Sequence, residues 1–178
     1  MLRWLWLAVA VVALDQISKA AASAELMLYK PLAVLPGFNL TLMHNTGAAF
    51  SFLHDASGWQ RWFFAGIAAL VSIGIVWWMR KLRPDETWHA VALALILGGA
   101  LGNLWDRLTL GYVVDFIEVY YRQWYWPAFN LADSAISVGA AMLIYDGVRG
   151  LFSRETGHDT SPDDTEGNST HDRSGGGR

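Results

Sequence analysis

Four apolar segments dominate the pattern of hydrophobic and polar positions along the chain. Residues 62–79 and 88–105 are each 18 residues long, and the first contains no charged residue. At 1.5 Å per residue, a helix of that length reaches about 27 Å, close to the hydrocarbon thickness of a bilayer. The segments 4–14 and 132–148 are long enough only if their helices include neighbouring ionisable residues. The pattern predicts four transmembrane helices, over about 3–23, 61–79, 88–106 and 132–150.

Two segments between these helices have the alternation of a strand. Residues 38–44 alternate apolar with polar side chains, and residues 112–120 are rich in β-branched and aromatic types. Both patterns are typical of half-buried strands. We expect a small extracytoplasmic β-sheet, or cradle, resting on the helices together with a short interfacial helix. Residues 1–152 then form one membrane domain, and residues 153–178 are predicted to be a disordered cytoplasmic tail.

Composition supports a membrane protein. Of 178 residues, 53% are hydrophobic, 10 are Trp and only 16% are charged, whereas soluble domains carry about a quarter charged residues. The net charge of −3 comes largely from the tail, so nothing indicates a nucleic-acid-binding surface. The absence of Cys excludes disulfides, thiolate catalysis and Cys-ligated metal sites.

The distribution of Lys and Arg predicts the orientation. Arg3, the run 80–83 and Arg149 flank the predicted helices on one side, which the positive-inside rule assigns to the cytoplasm. Both termini are then cytoplasmic, and the predicted sheet faces outside. Residues 21–24, Ala-Ala-Ser-Ala, also resemble a signal-peptide cleavage site, but Asp15 and Lys19 interrupt the apolar run before it, which favours a retained helix.

The polar residues within the apolar segments fall at one end of the predicted helices, the outer end. Ionisable groups in membrane helices are costly, so each needs a partner or a function. Separate helix caps have no reason to converge on one side, whereas a polar site at the outer interface does. The residues concerned are Asp15, Lys19, Asn103, Asp106, Arg107, Asp115, Asn130 and Asp133.

Structural interpretations of these residues remain open. Asn130 can cap the last helix, with Asp133 facing the positive end of the helix dipole. Asp15 and Lys19 are four residues apart on one helix face and can neutralise each other. Gly98 and its neighbours fit close helix packing equally well.

Hydrolysis is a chemistry that suits two carboxylates brought together at an interface. The two like charges push the pKa values of the carboxyl groups apart, so that one is ionised and the other neutral. The ionised group accepts a proton from water, while the neutral group protonates the scissile carbonyl. Asp115 in a predicted strand and Asp133 at a helix start are the best-placed pair. Asp106 is expected to be ionised and paired with the adjacent Arg107, as a supporting residue. The sequence contains no zinc-protease motif, nucleophile elbow or phosphate-binding glycine loop.

Five motifs in order resemble the bacterial lipoprotein signal peptidases, the signal peptidase II family. They are DQISK (15–19), NTGAAFSFL (45–53), GNLWDRL (102–108), GYVVDFI (111–117) and FNLADSAIS (129–137). The resemblance implies a four-helix aspartyl endopeptidase of the bacterial cytoplasmic membrane with its site at the outer face. Such an enzyme removes the signal peptide of prolipoproteins before the diacylglyceryl-modified cysteine, without a metal or organic cofactor or an obligate protein partner.

Carried over by motif, the resemblance implies that Asp115 and Asp133 are the catalytic pair. The residues on its other motif positions are expected to bind substrate or shape the site: Asp15, Lys19, Asn45, Gly99, Asn103, Asp106, Arg107, Asn130 and Ala132. The small residues after Asn45 are expected to let a loop approach the peptide. A transporter would instead place polar residues across the bilayer midplane. A membrane assembly protein would tolerate amides at both aspartates, and a metal-dependent hydrolase would be sensitive to chelators.

Overall fold

A computed structural model describes residues 1–47 and 58–155, the last five of these by their backbone alone. Within these residues, four helices are long and apolar enough to cross a membrane, as predicted. They are α1 (Leu5–Glu25, preceded by a 3-10 turn at Leu2–Trp4), α2 (Trp59–Lys81), α3 (Thr87–Thr109) and α4 (Leu131–Glu155). The outer-loop residues 48–57 and the tail beyond 155 lie outside the described residues.

The third helix is the centre of the membrane domain. Unlike the other helices, α3 is buried along most of its length, and it packs against both α1 and α2. The opposite face of α2 exposes large apolar side chains such as Trp62, Leu70 and Ile73. Exposed apolar faces on a continuous hydrophobic helix are what a lipid-facing surface requires. The buried apolar cluster between the helices comprises Ala8, Ile75, Met79, Leu93, Ala94 and Leu97.

Glycines on α3 and α4 allow the helices to approach at backbone distance. A Cβ on Gly98 would lie 2.8 Å from the carbonyl oxygen of Ala8 in α1. One on Gly99 would overlap the carbonyl oxygen of Ala132 in α4, and one on Gly139 would lie 2.5 Å from the carbonyl oxygen of Ala92. Small residues are the usual means of close helix packing in membranes, where the hydrophobic effect does not drive association.

Replacing Gly99 with alanine is expected to destabilise the fold by about 1–3 kcal/mol, because its Cβ meets backbone that cannot rotate away. The matched control is Gly74→Ala in α2, where a Cβ meets nothing within 4 Å, and which should leave the melting temperature unchanged or slightly higher. Thermal melts in detergent compare the two. Equal melting temperatures for both variants would contradict the packing assignment.

A small antiparallel sheet lies beside one end of the helices. Its strands are β1 (Leu32–Leu35), β2 (Phe38–Asn45), β3 (Val113–Tyr121) and β4 (Trp124–Tyr125), in the order β1-β2-β3-β4. The predicted small sheet is therefore present. Outside the four long helices and the 3-10 turn, the described residues contain no further helix to match the short interfacial one that we expect.

Burial alternates along the first half of β2, residues 38–41, but the more buried side there is polar. Asn39 and Thr41 are buried, whereas the apolar Phe38 and Leu40 between and beside them are only partly buried. A half-buried strand ordinarily turns its apolar side chains inward. Here a buried carboxylate on β3, that of Glu118, accepts hydrogen bonds from both polar residues and so makes their burial tolerable.

The described residues up to 145 form one compact unit, and the helical segment 146–155 belongs to a second. The predicted disorder of residues 153–178 concerns a segment that lies almost wholly outside the described residues.

Candidate active site

The first turn of α4 is closed by a reciprocal pair of hydrogen bonds between Asn130 and Asp133. The backbone N–H of Asp133 donates to Oδ1 of Asn130 at 2.9 Å, and the backbone N–H of Asn130 donates to Oδ2 of Asp133 at 3.3 Å. This is the geometry of a capping box. The other carboxylate oxygen of Asp133 accepts a 2.7 Å hydrogen bond from Nδ2 of Asn103 in α3. Asp133 therefore caps its helix with one oxygen and faces the interior with the other.

Asp115 lies in β3 and is bound to the same asparagine. Its Oδ1 accepts a 2.7 Å hydrogen bond from Nδ2 of Asn130, and its Oδ2 accepts a 2.9 Å hydrogen bond from Nδ2 of Asn45. Burial raises the pKa of Asp115 to about 7; the hydrogen bond from Asn45 opposes this rise, and the nearby charge of Asp133 adds to it. One fully buried asparagine thus connects two carboxyl groups that influence each other electrostatically.

Lys19 holds α1 and α3 together beneath this pair. Its Nζ lies 2.8 Å from Oδ2 of Asp15 and 2.8 Å from Oδ2 of Asp106, and it donates to Oδ1 of Asn103 at 3.0 Å. Lys19 and both carboxylates are almost fully buried. A buried ammonium with three oxygen partners has all its donors satisfied. The intrahelical pairing of Asp15 with Lys19 is present, but it is part of a larger network.

Asp15 also fixes the start of α4. Its Oδ1 accepts a 3.0 Å hydrogen bond from the backbone N–H of Ala132, one of the N–H groups that have no partner within the helix. A carboxylate at this position also interacts favourably with the positive end of the helix dipole. Gly102 leaves the room for it, since a Cβ there would lie 2.6 Å from Oδ2 of Asp15.

The ionic partner of Asp106 is Lys19, and the expected pairing with adjacent Arg107 was wrong. Neighbouring residues on a helix point in different directions. Asp106 accepts hydrogen bonds from Gln16 at 2.8 Å and from the backbone N–H of Val114 at 3.2 Å. Arg107 instead donates to the backbone carbonyl of Asn103 at 3.1 Å. Its guanidinium lies within electrostatic range of Asp106, Asp115 and Asp133.

The loop after Asn45 makes a tight turn at the site. The Oδ1 of Asn45 accepts a 2.9 Å hydrogen bond from the N–H of Gly47, whose φ of +104° favours glycine. A Cβ on Gly47 would also press on the ring of Phe64, over which the guanidinium of Arg107 lies at 5.5 Å. Residues 48 and 49, the alanines of the same motif, lie outside the described residues.

The structure brings the predicted site residues into one place. Nine are joined by hydrogen bonds or ion pairs, while Gly99 and Ala132 meet by backbone packing, and Ala132 also donates its N–H to Asp15. Gln16 was missed by sequence reasoning as a member of the network. Its position within DQISK, between two predicted site residues, was the available signal. The nine are Asp15, Lys19, Asn45, Asn103, Asp106, Arg107, Asp115, Asn130 and Asp133.

Fold and site together define a class of protein: a four-helix membrane protein with two aspartates, one buried and one partly exposed, held by the same asparagine at one end of its helices. Such a pair suits hydrolysis by acid and base. Within the described residues, no three side chains among His, Asp and Glu are arranged to hold a metal ion.

The family model for signal peptidase (SPase) II, Peptidase_A8, matches residues 7–149. The chain therefore belongs to the signal peptidase II family, and it is an aspartyl protease of that family. A lipoprotein signal peptidase of Pseudomonas aeruginosa is 59% identical over 159 residues, covering 88% of this chain and 94% of the relative. One of Teredinibacter turnerae is 56% identical over 149 residues, covering 84% and 89%.

Solved structures agree with the fold. A bacterial membrane enzyme determined by the in meso method at 1.9 Å resolution has 32% identity and a TM-score of 0.72, covering 81% of this chain and 91% of that one. A second, at 2.3 Å resolution, has 29% identity and a TM-score of 0.73, covering 92% and 94%. These findings do not support the alternatives of a transporter or a non-catalytic assembly protein.

Proposed function

We propose that Asp115 and Asp133 form the catalytic pair of this peptidase. The observation that carries the proposal is that a single buried side chain, Asn130, donates to Asp115 and is reciprocally bonded to Asp133. The two carboxyl groups come from a strand and a helix start, and each is held by two nitrogen donors. Such anchoring keeps both groups close without allowing them to move apart.

The environments of the two aspartates favour different protonation states. Asp115 is only 2% exposed, whereas Asp133 is partly exposed and lies in the first turn of α4. Burial disfavours the charged form, and a helix N-terminus favours it. We assign the shared proton mainly to Asp115 and the charge to Asp133, with the pair titrating as a coupled unit.

In this assignment Asp133 is the general base. It removes a proton from water as the water oxygen attacks the scissile carbonyl carbon, and Asp115 donates its proton to the carbonyl oxygen. The resulting tetrahedral diol collapses: one hydroxyl returns its proton to Asp115 as the C=O bond re-forms, the C–N bond breaks, and the amine leaves with the proton first taken by Asp133. Arg107, within electrostatic range of both groups, limits the charge that accumulates during these steps.

The other predicted residues have supporting roles in this proposal. Asp15, Lys19, Asn103 and Asp106 hold α1, α3 and α4 in register beneath the pair. Asn45 and the turn at Gly47 approach the pair from the sheet side, where a peptide in extended conformation would lie. Gly99 and its neighbour Ala132 allow the close helix contact on which the position of Asp133 depends.

The names of the relatives, lipoprotein signal peptidases, support a proposal for the substrate class. We propose that the substrates are lipid-modified prolipoproteins, cleaved before the diacylglyceryl cysteine. The site would face outward from the bacterial inner membrane, with both termini cytoplasmic. This orientation is supported by the basic residues Arg80, Lys81 and Arg83, which lie at or just beyond the end of α2 that is away from the site.

The experiment compares two substrates with the purified enzyme in detergent: a diacylglyceryl-modified prolipoprotein and the same precursor without the lipid. We expect cleavage of the modified form, unchanged by EDTA, and at least about 10-fold slower cleavage of the unmodified form, because the acyl chains position the scissile bond. Inactivity on both forms would contradict the substrate assignment, and loss of activity in EDTA would contradict a metal-free aspartyl mechanism.

The rate of cleavage is expected to fall as the pH rises through about 7. Burial raises the pKa of Asp115 from 3.8 to about 7, so above that pH the acid loses the proton it must donate. The buried neutral form of Asp115 also contributes to the stability of the fold. This contribution is complete below about pH 4 and is lost as the pH rises from there to about 7. Measuring kcat between pH 5 and 9 tests this, with the melting temperature recorded at each pH to exclude unfolding. A flat profile up to about pH 9 would contradict the assignment of the acid.

A further inference from the structure

Glu118 is a buried acid that the proposed reaction does not use. It lies three residues beyond Asp115 on β3 and is only 6% exposed. Its Oε2 accepts hydrogen bonds from Nδ2 of Asn39 at 2.9 Å and from Oγ1 of Thr41 at 2.9 Å, both in β2. Burying a carboxylate is costly unless hydrogen bonds compensate, so these two donors make this position tolerable.

The segment of β2 held by Glu118 contains a β-bulge. Leu40 pairs with Ile117, whereas Met43 pairs with Asp115, so β2 advances three residues while β3 advances two. Two residues of β2, Thr41 and Leu42, therefore face one residue of β3. Such an insertion reverses which face of the sheet the following side chains occupy.

The reversal decides which residue of β2 reaches Asp115. Directly paired residues share a face, and Asn45 pairs with Val113, which lies two residues from Asp115 and hence on the same face. Without the bulge, Asn45 would pair with Tyr112, on the opposite face, and His44 would take its place. The hydrogen bond from Asn45 to Asp115 therefore depends on the extra residue in β2.

We propose that Glu118 is a positioning residue for the peptidase reaction: by binding Asn39 before the bulge and Thr41 within it, its carboxylate fixes the β2 register that directs Asn45 to Asp115. This rests on the proposed function of Asp115. Glu118 and Asp115 lie on opposite faces of β3, since three residues separate them. Glu118 thus acts on the site through β2.

A second consequence concerns the acid itself. The hydrogen bond from Asn45 lowers the pKa of Asp115 against the effect of burial. The charged groups that face Asp115 from the packed elements are Lys19 of α1, Arg107 of α3 and Asp133 of α4, and none of them belongs to β2. Loss of the register therefore removes the hydrogen bond from Asn45 while leaving those charges in place. The pKa of Asp115 should rise, and the basic limb of the pH profile should move to higher pH.

The test uses Thr41→Val, which keeps the shape of the side chain and removes its donor, with Thr41→Ser as the matched control that keeps the donor. We expect Thr41→Val to lower kcat about 10-fold, and Glu118→Met to lower it about 100-fold, with little change in KM. Both variants should also shift the basic limb of the pH profile to higher pH. Glu118→Gln, whose amide oxygen can accept both hydrogen bonds, should recover most of the activity, as should Thr41→Ser.

Coupling to Asn45 separates positioning from a general loss of stability. In an Asn45→Ala background, Thr41→Val and Glu118→Met should cause no further loss of kcat and no further shift of the basic limb, because the interaction they support is already gone. Melting temperatures of all variants are measured in parallel.

The proposal is overturned if Thr41→Val has the kcat and pH profile of the wild type, or if its effect adds fully to that of Asn45→Ala. If Glu118→Met does not fold, the results for Thr41→Val decide the test. Failure of the proposed function is a separate result, recognised by full activity of Asp115→Asn in the same assay.

Discussion

Replacing either Asp115 or Asp133 with asparagine is expected to reduce cleavage of a lipid-modified prolipoprotein by at least about 10³-fold. An amide at either position can keep local hydrogen bonds, but it neither accepts a proton from water nor supplies one to the carbonyl oxygen. The helices should remain in place, because Asn at position 133 can still accept the N–H of Asn130 through its amide oxygen.

The control is Asp85→Asn in the turn between α2 and α3, where the carboxylate forms an exposed ion pair with Arg83. Exposed ion pairs contribute little to stability because water and salt screen them, and this variant should cleave at the wild-type rate. Purified variants are compared by single-turnover cleavage, with thermal melts to verify folding. Near-normal rates in either Asp115→Asn or Asp133→Asn would contradict the catalytic pair and leave Asp133 as a helix cap only.

Replacing Lys19 with methionine is expected to destabilise the protein by about 3–5 kcal/mol and to abolish activity. The side chain lies 2.8 Å from each of two carboxylates, Asp15 and Asp106, and all three groups are nearly inaccessible to solvent. Removing the cation leaves two buried carboxylates without their ionic partner, the situation in which breaking a buried pair costs most. Since Asp15 also binds the N–H of Ala132, the start of α4 should shift and displace Asp133.

The matched control is Lys30→Met, because Lys30 is exposed on the loop before β1 and makes no ion pair among those described. Thermal melts and cleavage assays compare the two variants. The double variant Asp106→Asn/Lys19→Met should lose less stability than the sum of the single variants, because it removes one of the stranded charges. A wild-type melting temperature for Lys19→Met would show that the network does not hold the helices.

The sequence by itself determined the four membrane helices, the small sheet and the end of the helices at which polar residues gather. Each of these depends on local information: the length of an apolar run fixes whether a helix spans the bilayer, and the position of an ionisable residue in that run fixes its depth. The capping role of Asn130 was visible for the same reason, since a cap and its partner are three residues apart.

Tertiary structure alone decided which polar residues meet. Asp106 is paired with Lys19 of another helix, since helix packing determines what lies opposite each face. Only the pairing of β2 with β3 reveals the bulge that turns Asn45 toward Asp115. The same pairing shows that Asn39 and Thr41 are buried against Glu118. A period of two is visible in a strand's sequence, but a one-residue change of register arises only between two strands.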